Sequence, residues 1–165
     1  MPVASPNPLS TPSAAKQLAG FIAKFDPEVA ALLCSARSAL RTLLPTANEL
    51  VYDNYNFLVI GFCPGDRASD CIVSLAASAK GVALSFYYGA TLPDPQKILL
   101  GSGNQNRFVR LPSAATLKTR PVRALIRAAI AQSDVPLPKA GRGRTILKSV
   151  SASQRPRRRP RLVRT

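Results

Sequence analysis

The stretch that decides the fold is residues 49–88, ELVYDNYNFLVIGFCPGDRASDCIVSLAASAKGVALSFYY. Apolar, β-branched and aromatic side chains dominate four segments of it, and turn-forming residues such as Pro64-Gly65-Asp66 and Lys80-Gly81 separate them. Connections this short join antiparallel neighbours, because a parallel pair needs a crossover of about a dozen residues or more. The sequence therefore predicts an antiparallel meander over residues 49–55, 57–62, 71–77 and 82–88.

Helical patterns flank this meander on both sides. On the N-terminal side Asp26 is a suitable N-cap, Pro27 suits the first turn, and an apolar stripe runs to the residues before Pro45. On the C-terminal side residues 119–132 repeat apolar residues at helical spacing behind Pro121. A short helix over 13–25 and a fifth strand over 106–111 complete the prediction. The fold class is α+β, with an antiparallel sheet of about five strands and an N-terminal and a C-terminal helix packed on it.

The two ends of the chain differ from the middle in composition. Residues 137–165 are rich in Pro, Gly, Ser and Arg and offer few apolar side chains, which is typical of a disordered arm. Of the 23 basic residues, ten lie in 139–164, whereas all eight acidic residues lie at or before Asp134. We therefore predict a disordered leader over 1–12, one domain over 13–136 and a disordered Arg-rich tail over 137–165.

Three cysteines and the absence of histidine limit the chemistry. Cys34, Cys63 and Cys71 lack the CxxC spacing and imidazole partners of a zinc site, so we expect no cofactor. Cys63 and Cys71 bracket a turn, where a disulfide is geometrically possible, although reduced and partly buried thiols are the favoured interpretation. No apolar run approaches the ~20 residues needed to cross a bilayer. The expectation is a cytoplasmic protein without membrane contact.

The connection between the fourth and fifth strands holds the candidate ligand site. Glycines 101 and 103 permit a backbone path that presents successive N–H groups to a small polar or anionic ligand. The alternative is that Gly-Ser-Gly only turns the chain into an edge strand. The predicted ligand-binding residues are Gly101, Ser102, Gly103, Asn104, Gln105 and Arg107, with Tyr88 from the neighbouring strand.

Arginines form a second candidate surface. Arginine pairs well with phosphate, and a net charge of +15 attracts polyanions in general. Nonspecific nucleic-acid contact is one hypothesis for the tail, and a purely solubilising tail is the other. The predicted nucleic-acid-binding residues are Arg120, Arg123 and Arg127 on the last helix and Arg155, Arg157, Arg158, Arg159 and Arg161 in the tail.

The order of several short motifs resembles a known family. Gly89-Ala90, Asp94-Pro95, Leu100-Gly101-Ser102-Gly103 and Arg107 follow one another at the spacing of the YdhG-like domain-of-unknown-function family, and the similarity extends over about 26–131. The resemblance implies a small α+β domain with helices packed on an antiparallel sheet. One branch of that superfamily is frataxin-like and supplies iron to iron–sulfur cluster assembly, which relies on acidic residues of the helix and the strand edge. The acidic residues that this chain offers there are Asp26 and Glu28 at the helix start, then Glu49 and Asp53.

The sequence offers little for catalysis. No Ser/His/Asp set, no phosphate-binding loop and no dinucleotide fingerprint is present. We therefore predict a non-enzymatic binding or adaptor domain, monomeric or weakly dimeric, that binds a small polar or anionic ligand and touches polyanions through its basic tail. The alternatives are a frataxin-like iron chaperone and a nucleic-acid-associated accessory protein.

Overall fold

The computed structural model describes residues 12–162, so most of the predicted leader lies outside the described residues. Within 12–162 no helix is both long and apolar enough to cross a membrane. Short 3₁₀ turns lie at Ala68–Asp70, Gly89–Thr91 and Ala114–Lys118. The helices are α1 (Ala14–Ile22), α2 (Pro27–Leu43) and α3 (Arg120–Gln132), and the strands are β1 (Asn48–Asp53), β2 (Leu58–Cys63), β3 (Val73–Ser78), β4 (Gly81–Phe86), β5 (Arg107–Leu111) and β6 (Thr145–Val150).

The α+β class is confirmed, and the sheet has six strands in the order β5-β4-β3-β2-β1-β6. Strands β1 to β5 form the antiparallel meander that the short connections predict. Strand β6 lies parallel to β1, with a register shift between Val51 and Tyr52. The sheet is therefore mixed rather than purely antiparallel, because the chain crosses the domain through α3 before it returns to the edge at β1.

The period of two along each strand divides the sheet into a covered face and an open face. Leu58, Ile60 and Phe62 of β2 are fully buried in the main core, which also holds the apolar stripes of the three helices. Side chains that alternate with these point to the opposite face of the sheet. There Leu50, Cys63 and Cys71 form a second, smaller buried cluster. Tyr52 and Ile146 pack against this cluster.

The prediction that 137–165 is disordered is wrong for its described part. Six of these residues form β6, and Gly143 N–H and Arg144 N–H are also bonded, to the Pro45 carbonyl and to Asn48 Oδ1. Without β6, the backbone N–H and C=O groups along this edge of β1 would be unpaired, and β6 pairs with them. Leu147 packs on the main core and Ile146 on the smaller cluster. A half-exposed edge strand carries too little hydrophobic alternation to be recognised from sequence.

Candidate functional site

The predicted ligand loop, residues 101–107, is an exposed excursion closed by a bridge between Leu100 and Phe108. The two backbone N–O distances across this bridge are 2.8 and 3.0 Å. Gly101 has φ +115°, which only glycine adopts readily, whereas Gly103 lies in ordinary backbone space. Arg107 turns back on its own loop and donates to the carbonyls of Gly103 and Asn106. Its guanidinium therefore holds the loop together.

The same loop packs on the 3₁₀ turn Gly89–Thr91. Ala90 N–H donates to the carbonyl of Gln105 at 2.9 Å, and Ser85 Oγ donates to Asn106 Oδ1 at 2.7 Å. A Cβ atom at Gly89 would lie 2.5 Å from Cβ of Arg107, so no larger residue fits without a backbone shift. Gly89 is thus required for this close approach. Gln105 and Arg107 contact the turn, and Asn106 contacts the end of β4.

A cavity of about 410 Å³ lies on the other side of this turn. Tyr88 is the one predicted ligand-binding residue that lines it; residues 101–107 do not. The turn Ala68–Asp70, the end of β4 and the end of α3 form its walls. Its polar lining residues include Arg67, Asp70, Tyr88, Thr91, Gln132 and Asp134.

Hydrogen bonds fix the walls of this Tyr88 cavity relative to one another. The Tyr88 hydroxyl donates to the Ser69 carbonyl at 2.7 Å. Gln132 Nε2 donates to the Tyr88 carbonyl at 3.1 Å. The Thr91 hydroxyl lies 2.9 Å from the Tyr88 carbonyl and 3.1 Å from Gln132 Oε1, and its one proton can be donated to either oxygen. Three separate elements are therefore tied together around one space. Such a space is preorganised, which lowers the entropy lost when a ligand binds.

Charges of both signs line the Tyr88 cavity. Arg67 Nε lies 3.9 Å from Asp70 Oδ2, a loose pair in which the arginine is mostly exposed. Asp134 adds a second carboxylate near the end of α3. One guanidinium and two carboxylates give a local excess of negative charge, which disfavours a simple anion. The lining suits an uncharged polar or a zwitterionic molecule.

The three cysteines are free thiols, and two of them form a buried pair. Cys71 Sγ lies 3.2 Å from Ser74 Oγ and donates to the Val73 carbonyl at 3.3 Å. The hydrogen bond of Cys63 to Cys71, together with burial, raises the pKa of Cys63. Burial also raises the pKa of Tyr52, whose hydroxyl has no hydrogen-bond partner in the described chain. Cys63 and Tyr52 therefore stay protonated at neutral pH, whereas the hydrogen bond from Cys63 lowers the pKa of Cys71.

The arginines of the predicted nucleic-acid set fall into two groups. Arg157 is buried and bound to Asp53, while Arg158 donates to the carbonyls of Ala23 and Lys24 at the end of α1. Arg159 donates to the Ala79 carbonyl. Arg157 therefore has no surface to offer a nucleic acid, and two neighbours are partly used within the chain. The others, Arg120, Arg123, Arg127, Arg155 and Arg161, are exposed.

The carboxylates bear on the iron hypothesis. Glu49 and Asp53 are almost fully buried, and arginines bind both of them. Asp26 Oδ2 accepts the backbone N–H of Arg159, which leaves Glu28 exposed beside it. In residues 12–162 no group of three or more His, Cys, Asp or Glu side chains lies close enough to hold a metal ion. Asp26 and Glu28 alone are a sparse ligand set for a hard cation.

Sequence reasoning missed most of the Tyr88 cavity. Thr91 and Gln132 are 41 residues apart, and no local pattern indicates that they hydrogen-bond to each other. From sequence, the turn that supplies Arg67 and Asp70 indicates only a connection between strands. The available signal was weak: a polar residue, Gln132, ends the otherwise apolar stripe of α3 close to Asp134.

The chain was compared with protein families, curated proteins and solved structures. No family model matches it, and neither a curated protein nor a solved structure shows a significant similarity to it. The resemblance to the YdhG-like family accordingly stays a prediction made from its motifs.

Proposed function

We propose that this protein is a non-enzymatic binding domain of the YdhG-like type that holds a small polar ligand in the Tyr88 cavity. The observation that carries the proposal is the cavity itself, an open cleft of about 410 Å³ whose walls are joined by hydrogen bonds among Ser69, Tyr88, Thr91 and Gln132. This volume falls within the usual range of small-molecule sites, roughly 300–1,000 Å³.

The predicted loop supports the proposed site, although it does not line the cavity. Residues 101–107 pack behind the turn Gly89–Thr91, and that turn forms one wall of the cavity. In this proposal the loop holds Tyr88 and Thr91 in place, and the ligand contacts the residues that line the cavity on the other side of the turn. Polar groups of the ligand would meet Thr91, Gln132 and the charged pair Arg67–Asp70.

Two-dimensional ¹H–¹⁵N NMR of the whole chain tests the proposal, with glutamine, glutamate, ribose and inorganic phosphate as probes. We expect glutamine or ribose to shift the amide signals of Tyr88, Thr91 and Gln132 in a saturable way, and phosphate to leave them in place. Native mass spectrometry of protein purified from its own host checks for a retained small molecule.

Two matched variants sharpen this experiment. Gln132→Leu removes the polar group that faces Thr91, and we expect it to weaken probe binding about tenfold, equivalent to a lost hydrogen bond worth ~1.4 kcal/mol. Arg110→Gln changes an exposed residue of β5 that does not line the cavity, and it should bind like the parent. No saturable shift with any probe, together with no retained molecule, would defeat the proposal.

Nucleic-acid association is a second candidate because of α3. Arg120, Arg123 and Arg127 are exposed at spacings of three and four, and none of them has an ion-pair partner among residues 12–162. Salt-dependent binding of a single-stranded RNA should weaken in the triple Arg→Gln variant by more than in a triple Lys→Gln variant at Lys16, Lys97 and Lys118, which changes the net charge equally. Equal losses would indicate only a general charge effect.

A further inference from the structure

A second cavity, about 570 Å³ in volume, lies against the outer side of α2, away from the Tyr88 cavity. One wall is the last two turns of α2, which present Arg37, Ser38, Arg41 and Thr42. The other wall is the segment just before β6, which contributes Arg142. We call this space the arginine groove; its remaining lining residues are Cys34 and Pro45.

Glu49 fixes two of the three arginines. Arg37 binds its carboxylate with two hydrogen bonds, Nε to Oε2 at 2.6 Å and Nη2 to Oε1 at 3.0 Å. Arg41 Nη1 also donates to Oε1, and the Thr145 hydroxyl donates to the same oxygen at 3.1 Å. Glu49 is 1% exposed, so its negative charge is balanced by these partners and not by solvent. The hydrogen bond to Glu49 raises the pKa of Arg37, which stays charged.

The arginines keep donors that the groove can use. Arg37 Nη1 and Arg41 Nη2 make no hydrogen bond to the described chain, and neither is a buried unsatisfied atom. Arg142 is exposed and has no partner within residues 12–162. Three guanidinium groups therefore meet one carboxylate, and the groove carries an excess of two positive charges, which favours an anion.

The path of the chain holds Arg142 over the groove. Gly143 N–H donates to the Pro45 carbonyl at 3.0 Å, and Arg144 N–H donates to Asn48 Oδ1 at 2.9 Å. A Cβ atom at Gly143 would overlap the Ala47 carbonyl, so glycine is needed for this close approach. The residue before Gly143 is thereby placed opposite α2, although it lies in a stretch rich in Gly and Arg that the sequence suggests is disordered.

We propose that the arginine groove binds a small phosphate-bearing anion. Guanidinium groups form paired hydrogen bonds with phosphate oxygens, and two that are already immobilised by Glu49 lose little further entropy on binding. The hydroxyls of Ser38 and Thr42 line the same wall, although Thr42 already donates to the Ser38 carbonyl at 3.2 Å. The site is independent of the Tyr88 cavity, and its success or failure leaves that proposal unchanged.

Isothermal titration calorimetry of the full chain with pyrophosphate at low ionic strength tests the inference, with inorganic phosphate and citrate as comparison anions. We expect saturable one-to-one binding of pyrophosphate and weaker binding of inorganic phosphate, which has fewer oxygens with which to reach all three guanidinium groups. Citrate that bound as tightly as pyrophosphate would show anion binding without a preference for phosphate and would contradict the inference. Arg142→Gln should weaken pyrophosphate binding about tenfold, the effect of one lost charge-assisted contact. Arg144→Gln removes the same charge beside the groove, and its affinity should stay within about twofold of the parent.

Cys34 provides a second readout, since it is exposed and lines the groove. At a pyrophosphate concentration about five times the parent Kd, alkylation of Cys34 by iodoacetamide should slow several-fold in the parent and by less than about twofold in Arg142→Gln, whose tenfold weaker affinity leaves it mostly unoccupied. Equal loss of affinity in the Arg142 and Arg144 variants would overturn the inference, and so would saturable binding without protection of Cys34. Binding of RNA without any binding of pyrophosphate would assign the positive charge to a nucleic-acid surface instead.

Discussion

Arg157 Nη2 donates to Asp53 Oδ1 at 2.9 Å, and side chains 104 positions apart in sequence thereby form a buried ion pair. Arg157 also donates to the Asn54 carbonyl at 2.6 Å and lies over the ring of Phe25. Gln154 Nε2 donates to the other Asp53 oxygen at 2.7 Å. The segment after β6 is therefore anchored to the core through the buried Asp53 carboxylate, which would be destabilising without a partner.

Replacement of Arg157 should be strongly destabilising. Arg157→Ala leaves the Asp53 carboxylate buried with fewer partners, and loss of one member of a buried pair typically costs about 3–5 kcal/mol. Lys24 lies 3.9 Å from Asp53 and offsets little of this, because it is half exposed. The measurement is the free energy of unfolding from urea titration followed by circular dichroism.

Arg155→Ala is the matched control for that experiment. Arg155 is exposed and its guanidinium stacks on Tyr55, so the expected loss is below about 1 kcal/mol. If the Arg155 and Arg157 variants lost the same stability, the buried pair would not anchor the tail. Removal of all residues after Pro138 should cost more than either, because it also removes β6 from the sheet.

Tyr52 and Tyr88 should respond in opposite directions to loss of the hydroxyl. The Tyr52 hydroxyl is buried without a partner in the described chain, so Tyr52→Phe should leave stability unchanged or raise it by up to about 1 kcal/mol. The Tyr88 hydroxyl donates to the Ser69 carbonyl, so Tyr88→Phe should lower stability by about 0.5–1.5 kcal/mol. Urea unfolding of both variants under identical conditions decides the point; a loss of stability in Tyr52→Phe would mean that its hydroxyl has a partner after all.

Two glycines should differ in their tolerance of alanine. Gly89→Ala places a Cβ 2.5 Å from Arg107 Cβ and 2.9 Å from its backbone nitrogen, so we expect a loss of about 1–3 kcal/mol and shifted NMR signals in 89–107. Gly20→Ala meets no heavy atom within 4 Å and lies inside α1, so it should raise stability by roughly 0.5–1 kcal/mol. Thermal unfolding of the two variants provides the comparison, and a neutral Gly89 variant would show that the loop does not need this close packing.

Stability should fall at alkaline pH because of Cys63. Its pKa is raised in the folded state by the hydrogen bond to Cys71 and by burial, whereas the unfolded chain has a thiol of ordinary pKa near ~8.5. A group with a raised folded pKa contributes its full stability below the unfolded pKa and loses it as the pH rises above that value. We therefore expect a steeper decline above about pH 8.5 in the parent than in Cys63→Ala.

Cys34→Ala serves as the control for the pH series, because Cys34 is exposed and outside the buried pair. Its unfolding free energy should still decline above about pH 8.5, because this variant keeps the buried pair intact. Tyr52 adds to the decline at higher pH, since its raised pKa acts above the ordinary tyrosine value of ~10. If Cys63→Ala declined as steeply as the parent between pH 8 and 10, the buried thiol would not be the cause.

The sequence by itself determined the helices and the meander. Pro27 at the start of α2, the apolar stripes of α2 and α3, and the short turns between β1 and β4 are local signals, and local signals act before any distant contact forms. Only the tertiary structure decided what the tail does and where the cavities lie. Strand β6 forms because β1 offers an unpaired edge, and Arg157 is buried because it pairs with the buried carboxylate of Asp53. The Tyr88 cavity and the arginine groove are each lined by residues far apart in the chain, and such proximity has no signature in one sequence.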